Sequence, residues 1–187
     1  MKTKMIIVAA PSGAGKSSFV ERICREIPSL VDTVTYTTRK PRAGESQGVP
    51  YFFVTSDEFE IKVNENFFVE WAKVHNNYYG TPFYQLEEAW KDGKCVIMDV
   101  DVQGAATFKS KYPEAKSIFI LPPSIDELRR RVTKRDGQVP QDIEVRMNNA
   151  QLEIARAVEF DVQVINDVFE ASYGQFKKIV ENWLADD

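Results

Sequence analysis

The sequence predicts an α/β fold: a parallel sheet covered by helices on both faces and interrupted by a β-rich insertion. Three observations carry this reading. Short apolar runs at residues 5–9, 95–99 and 117–121 each precede a segment of helical periodicity, the alternation that builds a parallel sheet. The first run feeds into Ala10-Pro11-Ser12-Gly13-Ala14-Gly15-Lys16-Ser17 and then a helical pattern over residues 18–27. Strand, glycine-rich turn, Lys-Ser and helix make the context of a phosphate-binding P-loop. Residues 33–82, in contrast, are rich in β-branched and aromatic side chains, which favour strands.

The P-loop reading has a physical basis. Glycines let successive backbone N–H groups turn toward one anion, and the following helix adds its unpaired N–H groups and positive dipole end. Ser12, Gly13, Ala14, Gly15 and Ser18 would line that cradle, Lys16 would reach the terminal phosphates, and the Ser17 hydroxyl would ligate Mg²⁺. Ala10 stands where the motif has its first glycine. That position needs a compact residue more than a positive φ, so alanine is a mild change.

Along the chain, Pro28-Ser29 breaks the first helix and residues 33–38 read as a strand. A polar loop with two glycines spans residues 39–48. Residues 51–55 and 67–72 read as strands, with a short helix opening at Ser56 between them. Tyr78-Tyr79-Gly80-Thr81 reads as a turn. Pro82 takes a first helical position before a helix over residues 83–91, ended by Asp92-Gly93. The α/β rhythm then returns: strand 95–99, helix 102–111, strand 117–121, a capping box at Ser124 and Glu127 opening a helix, a helix over 142–158, strand 160–165 and a closing helix over 170–184.

Composition narrows the function classes. The 187 residues suit one domain with insertions, and the net charge of −4 speaks against wrapping nucleic acid. Cys24 and Cys95 sit in apolar segments without metal spacing and read as buried reduced thiols. Lys2 and Lys4 before an apolar run imitate a signal peptide, but the run is too short and leads directly into the P-loop. No run reaches membrane-spanning length. A cytoplasmic protein is expected. The single histidine, His75, falls in a polar turn and receives no role.

Charged residues supply the remaining candidates. Asp99 ends a strand and Asp101 lies two residues on, toward the same side of an extended chain. A carboxylate there holds a metal shell in P-loop folds or simply starts an Asx turn. Arg39 and Arg42 flank Pro41, which presents two guanidiniums close together; such forks suit phosphate oxygens, although a lone basic loop is usually solvated. Arg129, Arg130, Arg131, Lys134 and Arg135 form a helical charge run. Arg135 lies seven residues after Leu128, on the apolar stripe with Val132, where an anion or the end of the helix must account for it. Arg146 on the next helix is a further candidate.

Taken together, the 10–17 segment, Thr37-Thr38-Arg39-Lys40-Pro41-Arg42-Ala43-Gly44-Glu45, Phe68-Val69-Glu70-Trp71, Asn77-Tyr78-Tyr79-Gly80-Thr81 and Asp99-Val100-Asp101-Val102-Gln103-Gly104 resemble guanylate kinase, in that family's order along nearly the whole chain. The resemblance implies one domain in three parts: a core (residues 1–32, 83–124 and 159–187), a nucleoside-monophosphate-binding lobe (33–82) and a helical lid (125–158). It implies transfer of the ATP γ-phosphoryl group to GMP or dGMP with Mg²⁺. Arg39, Arg42, Tyr51, Tyr79 and Thr35 would hold the GMP phosphate, and Glu70, Thr81 and Asp101 would read guanine. Arg131, Arg135 and Arg146 would surround the transferring group, with Arg135 also near adenine and Asn166 on the adenine side. Catalysis would rest on Lys16, Arg39 and these lid arginines, and the metal on Ser17 and Asp99. Pro50 and Asp136 depart from the family pattern, which has Asp and Gly there.

The residue types suit this chemistry. Guanine presents two adjacent donors, N1–H and its 2-amino group, which one carboxylate can accept together. Strand alternation places Glu70 opposite Val69 and Trp71, so periodicity alone also permits an exposed glutamate. Two other classes remain open to the sequence: a phosphopeptide-binding scaffold of the same fold, against which the intact Lys16 and Ser17 argue, and a kinase for another small phosphate.

Overall fold

The computed structural model describes residues 4–42, 44–74 and 76–185; His75, Ala43 and Lys2 lie outside the described residues. Two sheets organise it. The first has strand order β10-β9-β1-β8-β2 with every pairing parallel. Its strands are β1 (Met5–Ala9), β2 (Leu30–Asp32), β8 (Cys95–Val100), β9 (Lys116–Leu121) and β10 (Val162–Ile165). β1 lies at its centre and all five of its residues are buried. That is why it reads as an unbroken apolar run rather than an alternating one.

Helices cover both faces. On one side, Ile6 and Val8 pack against α1 (Lys16–Glu26), α5 (Ile125–Asp136), α6 (Ile143–Ala155) and α7 (Phe169–Ala185) through Phe19, Leu128, Met147 and Phe176. The Phe19 and Phe176 rings meet edge to face at 5.2 Å, an arrangement aromatic quadrupoles favour. On the other side, Ile7 and Met98 pack against α3 (Phe83–Lys91) and α4 (Val102–Lys111) through Leu86 and Phe108. Cys95 is buried in β8, and burial pushes the Cys24 thiol up to about 12. Both thiols are free, and Cys24 is half-buried rather than buried as the sequence implies. Among the described residues no helix is long and apolar enough to cross a membrane.

The second sheet draws on β3 (Thr35–Thr37), β4 (Ser46–Gln47), β5 (Pro50–Phe53), β6 (Phe68–Val74) and β7 (Asn77–Pro82), in the order β4-β5-β3-β7-β6. The capped helix α2 (Ser56–Asn64) lies between β5 and β6 in the chain. Aromatic rings fill this unit: Phe59 stacks on Phe68 at 4.6 Å and on Tyr78 at 5.4 Å. The chain crosses between the sheets after Asp32 and again at Pro82. Gln85 of α3 ties the first crossing by accepting from the Val34 N–H at 2.6 Å and donating to the Val34 carbonyl at 3.1 Å.

Several local readings change. Residues 78–81 are not a turn but the middle of β7, paired antiparallel with both β3 and β6. Gly80 serves close packing there, since a Cβ would lie 2.9 Å from the Phe68 ring. Strands β2 and β4 are additions, three and two residues long and below the reach of pattern reading. The helix expected over 142–158 ends at Ala155 and continues as a short 3-10 turn, Ala157–Glu159. Pro82 caps α3 from outside rather than opening it.

Candidate active site

The P-loop joins β1 to α1. Gly13 and Gly15 both take φ near +95°, a region closed to most side chains, so these glycines are required by the turn itself. The Ala14 N–H returns to the Pro11 carbonyl at 3.0 Å and closes the loop. Gly15 caps α1, which begins at Lys16, two residues before the helical pattern suggests. Val132 of α5 lies directly beneath: a Cβ on Gly13 would approach it to 2.6 Å. Ala10 is buried at the strand end, so alanine in place of the motif's first glycine fits the core.

Lys16 donates to the Val100 carbonyl at 3.1 Å and stands 3.9 Å from Asp99. The Ser17 hydroxyl donates to the Asp99 carboxylate at 2.5 Å. A hydroxyl and a carboxylate oxygen thus meet at the start of α1, a hard-oxygen pair of the kind magnesium prefers alongside phosphate oxygens. Among the described residues no cluster of three or more His, Cys, Asp or Glu forms a self-sufficient metal cage. Asn166, after β10, donates to the Ala14 carbonyl at 2.8 Å from behind the loop. Its Oδ1 is buried with no hydrogen-bond partner.

A single cleft of about 410 Å³ runs from this loop toward the second sheet. Ser12, Gly13, Gly15, Lys16, Ser17 and Ser18 line its first end, with Asp99 beside them. Thr35, Arg39, Arg42, Tyr51 and Tyr79 line the middle. Arg39 is held by Glu45 in two parallel bonds of 3.0 Å each, with its guanidinium 5.3 Å above the Tyr51 ring. Glu45 also accepts the Arg42 N–H at 2.7 Å. One carboxylate therefore fixes both halves of the arginine loop. Burial lowers the Arg42 guanidinium, and the like charges of Arg135 and Arg39 lower it further.

At the far end, Glu70 and Asp101 enter the cleft with Gly104 of α4. Glu70 is 7% exposed. Burial and the charge of Asp101 push its carboxyl up to about 7, against the lowering effect of the Thr81 hydroxyl, which donates to it at 3.2 Å. Thr81 is itself fully buried behind Glu70. A register irregularity between Phe68 and Glu70 breaks strand alternation, so Phe68, Val69 and Glu70 are buried in succession, and exposure begins at Trp71. The exposed-glutamate reading of Glu70 is thereby excluded. Asp101 caps α4 by accepting from the Gly104 N–H at 2.8 Å, so it is an Asx cap and a cleft residue together.

Two lid candidates, Arg131 and Arg135, reach the cleft. Arg131 is oriented by Glu127 at 2.7 Å, and Arg135 comes within 3.5 Å of the Ser12 hydroxyl. Arg146 is absent from the cleft wall and is bound to Asp136 and Asp142, each at 3.0 Å. Ala14, Thr81 and Asn166 stand behind the wall rather than on it. Sequence alone points to no role for Glu45 or Glu153, and the Glu127 side chain, expected to close a capping box with Ser124, binds Arg130 and Arg131 instead. The i,i+4 spacing of Glu127 and Arg131 was a legible signal. Glu153, on α6, faces the cleft near Asp101 and Lys16, and burial with the Asp101 charge raises it to about 7.

Comparison with known proteins identifies the family of the chain. The guanylate kinase family model matches residues 2–183. The guanylate kinase of Bdellovibrio bacteriovorus is 67% identical over 185 residues, covering 99% of this chain and all of that one. That of Francisella tularensis subsp. tularensis is 44% identical, covering 97% of each. The crystal structure of guanylate kinase from Anaplasma phagocytophilum superposes with a TM-score of 0.80 at 28% identity, covering 98% of this chain and 87% of that one. With a glycine-rich phosphate cradle and a buried carboxylate lining one cleft, the chain belongs to the guanylate kinase family.

Proposed function

We propose that this protein transfers the γ-phosphoryl group of ATP to GMP or dGMP, yielding ADP and GDP, as a cytoplasmic step in guanine nucleotide supply. The observation that carries the reading is that Lys16 of the P-loop and the buried Glu70 of the second sheet line one cleft. The P-loop amides and Lys16 bind the ATP phosphates. Asn166 braces the loop from behind through the Ala14 carbonyl and would support the adenine side of the site. Ser17 and Asp99 would hold Mg²⁺, which when bound with ATP draws negative charge from its phosphates.

Glu70 accepts the two adjacent guanine donors, supported by Asp101 and Thr81. Adenine presents no such pair and would leave a buried carboxyl unsatisfied. Arg39, Arg42, Tyr51, Tyr79 and Thr35 hold the acceptor phosphate. That phosphate is already an anionic nucleophile, so no general base is needed, and catalysis is positioning and neutralisation of spread charge. Arg131, Arg135 and Arg146 supply that neutralisation from α5 and α6, which act as a lid that excludes water. The three-part division into core, acceptor lobe and lid belongs to this proposal.

The test is ADP release with ATP and each of GMP, dGMP, AMP, CMP and UMP. Turnover is expected with GMP and dGMP, and ATP hydrolysis without an acceptor should be far slower. Preference for AMP, or silence with all five, overturns the reading.

A further inference from the structure

We propose that Asp136 is a positioning residue for phosphoryl transfer: its carboxylate ties Arg135 and Arg146, on two different lid helices, into one preset cationic unit. The inference rests on the role proposed above for those arginines. Asp136 is the last residue of α5, and Gly137 ends the helix with a φ of 73°. One carboxylate oxygen accepts from Arg135 Nε at 2.8 Å, and the other accepts from Arg146 Nη1 at 3.0 Å. Partial burial works to raise this carboxyl, but the hydrogen bond and charge of Arg135 outweigh it together with the charges of Arg146 and Arg42, and the net shift is downward. Three arginines from three separate segments therefore act on a single carboxylate.

The arrangement divides the donors of each guanidinium. Arg135 spends Nε on Asp136, which leaves its Nη edge for the P-loop, where Nη1 lies 3.5 Å from the Ser12 hydroxyl. Arg146 gives Nη1 to Asp136 and Nε to Asp142, each at 3.0 Å. Neither long side chain is left to wander, and the like charges of Arg42, Arg135 and Arg146 share a fixed counter-charge while no phosphate is present. Immobilised arginine forks lose less freedom on meeting an anion than mobile ones do. The helices do not depend on Asp136 for their contact. Arg129 of α5 grips Glu144 of α6 in two bonds of 2.5 and 2.9 Å, and Leu128, Val132, Ile143 and Met147 share one core cluster. Loss of the Asp136 charge should therefore leave the fold intact while loosening the arginines.

Asp136→Asn, Arg146→Ala, Arg135→Ala and the Asp136→Asn/Arg146→Ala double variant are compared by steady-state kinetics and thermal melting. Asp136→Asn is expected to lower kcat about tenfold, the scale of a lost orienting partner. The KM values and the melting temperature should stay near those of the parent. The double variant should lose less than the product of the two single losses, because Asp136 acts partly through Arg146. An Asp136→Asn enzyme with unchanged or raised kcat, one altered only in KM or melting temperature, or strictly multiplicative losses would overturn the inference. Those results with inactive Arg135→Ala and Arg146→Ala enzymes leave the lid-arginine reading standing. Full activity in both arginine variants sinks that reading, and this inference with it.

Discussion

The two ends of the cleft are made of different material. The P-loop end is mostly backbone: a closed turn, two glycines at positive φ and a helix start, all within residues 10–17 and backed by Val132 and Asn166. The Glu70 end is mostly side chains, brought from β3, β5, β6, β7 and the start of α4 by a second sheet full of aromatic rings. Backbone amides recognise any phosphate and leave little room for selectivity. Carboxylates on strands can be arranged to match one base. On the proposed reading, generality lies in the continuous segment and specificity in the assembled one.

The sharpest way to break that division is at its two charged residues. Lys16→Ala should lower kcat on the order of 10³-fold, while calorimetry finds GMP affinity close to that of the parent. A matching loss of GMP binding would mean that the two ends are not separable. Glu70→Gln should lower kcat/KM for GMP on the order of 10²-fold. It should also melt no lower at pH 8, and somewhat higher, because it replaces a buried carboxyl whose ionised form the fold disfavours. A lower melting temperature would make Glu70 a structural residue.

A glycine at each end gives a finer contrast. Gly13→Ala meets both a φ of +94° and the Val132 methyl, so it should cost roughly 1–3 kcal/mol of stability by denaturant titration. Gly104→Ala would place a Cβ 3.1 Å from Glu70 Oε2. Its effect should fall on KM for GMP, severalfold, with melting little changed. Reversal of the two phenotypes would erase the distinction between a backbone site and a side-chain site.

The smallest effect is a proton. Glu70 is raised to about 7, so in the empty protein its contribution to stability is greatest below the ordinary carboxylate pKa and is lost as pH rises through about 7. Guanine donors favour the ionised form and pull the pKa back down. GMP binding near pH 6 should therefore release about one proton, measured by calorimetry in buffers of different ionisation enthalpy. Glu70→Gln should remove that proton from the total, leaving only what the GMP phosphate, with a second pKa of about 6, gives up to the arginines, and net proton uptake by the parent would contradict the assignment.

The sequence discloses these two ends unequally, and for a physical reason. Residues 10–17 carry their own geometry, because glycine spacing and a helix start are local properties. The buried strands of the first sheet were legible as apolar runs. Tyr78-Tyr79-Gly80-Thr81 misleads because glycine signals a turn, whereas Gly80 makes room for Phe68 across the sheet. Glu70 escapes strand periodicity because the irregularity after Phe68 turns consecutive side chains inward. Glu45 and Asp136 act through arginine partners, and nothing in single-residue reading reveals a partner chosen by tertiary contact.

That irregularity in β6 has a mechanical side. Val69 belongs to the core under the first sheet, and its carbonyl accepts a bond from Lys111 of α4, while the next side chain, Glu70, looks into the cleft. The second sheet thus touches the core along the very strand that carries Glu70, with Arg39 two strands away at the end of β3. On this mount the proposed base-reading carboxyl lies beside the core attachment and the proposed phosphate clamp lies two strands farther out, so a tilt of the second sheet about β6 would displace Arg39 more than Glu70.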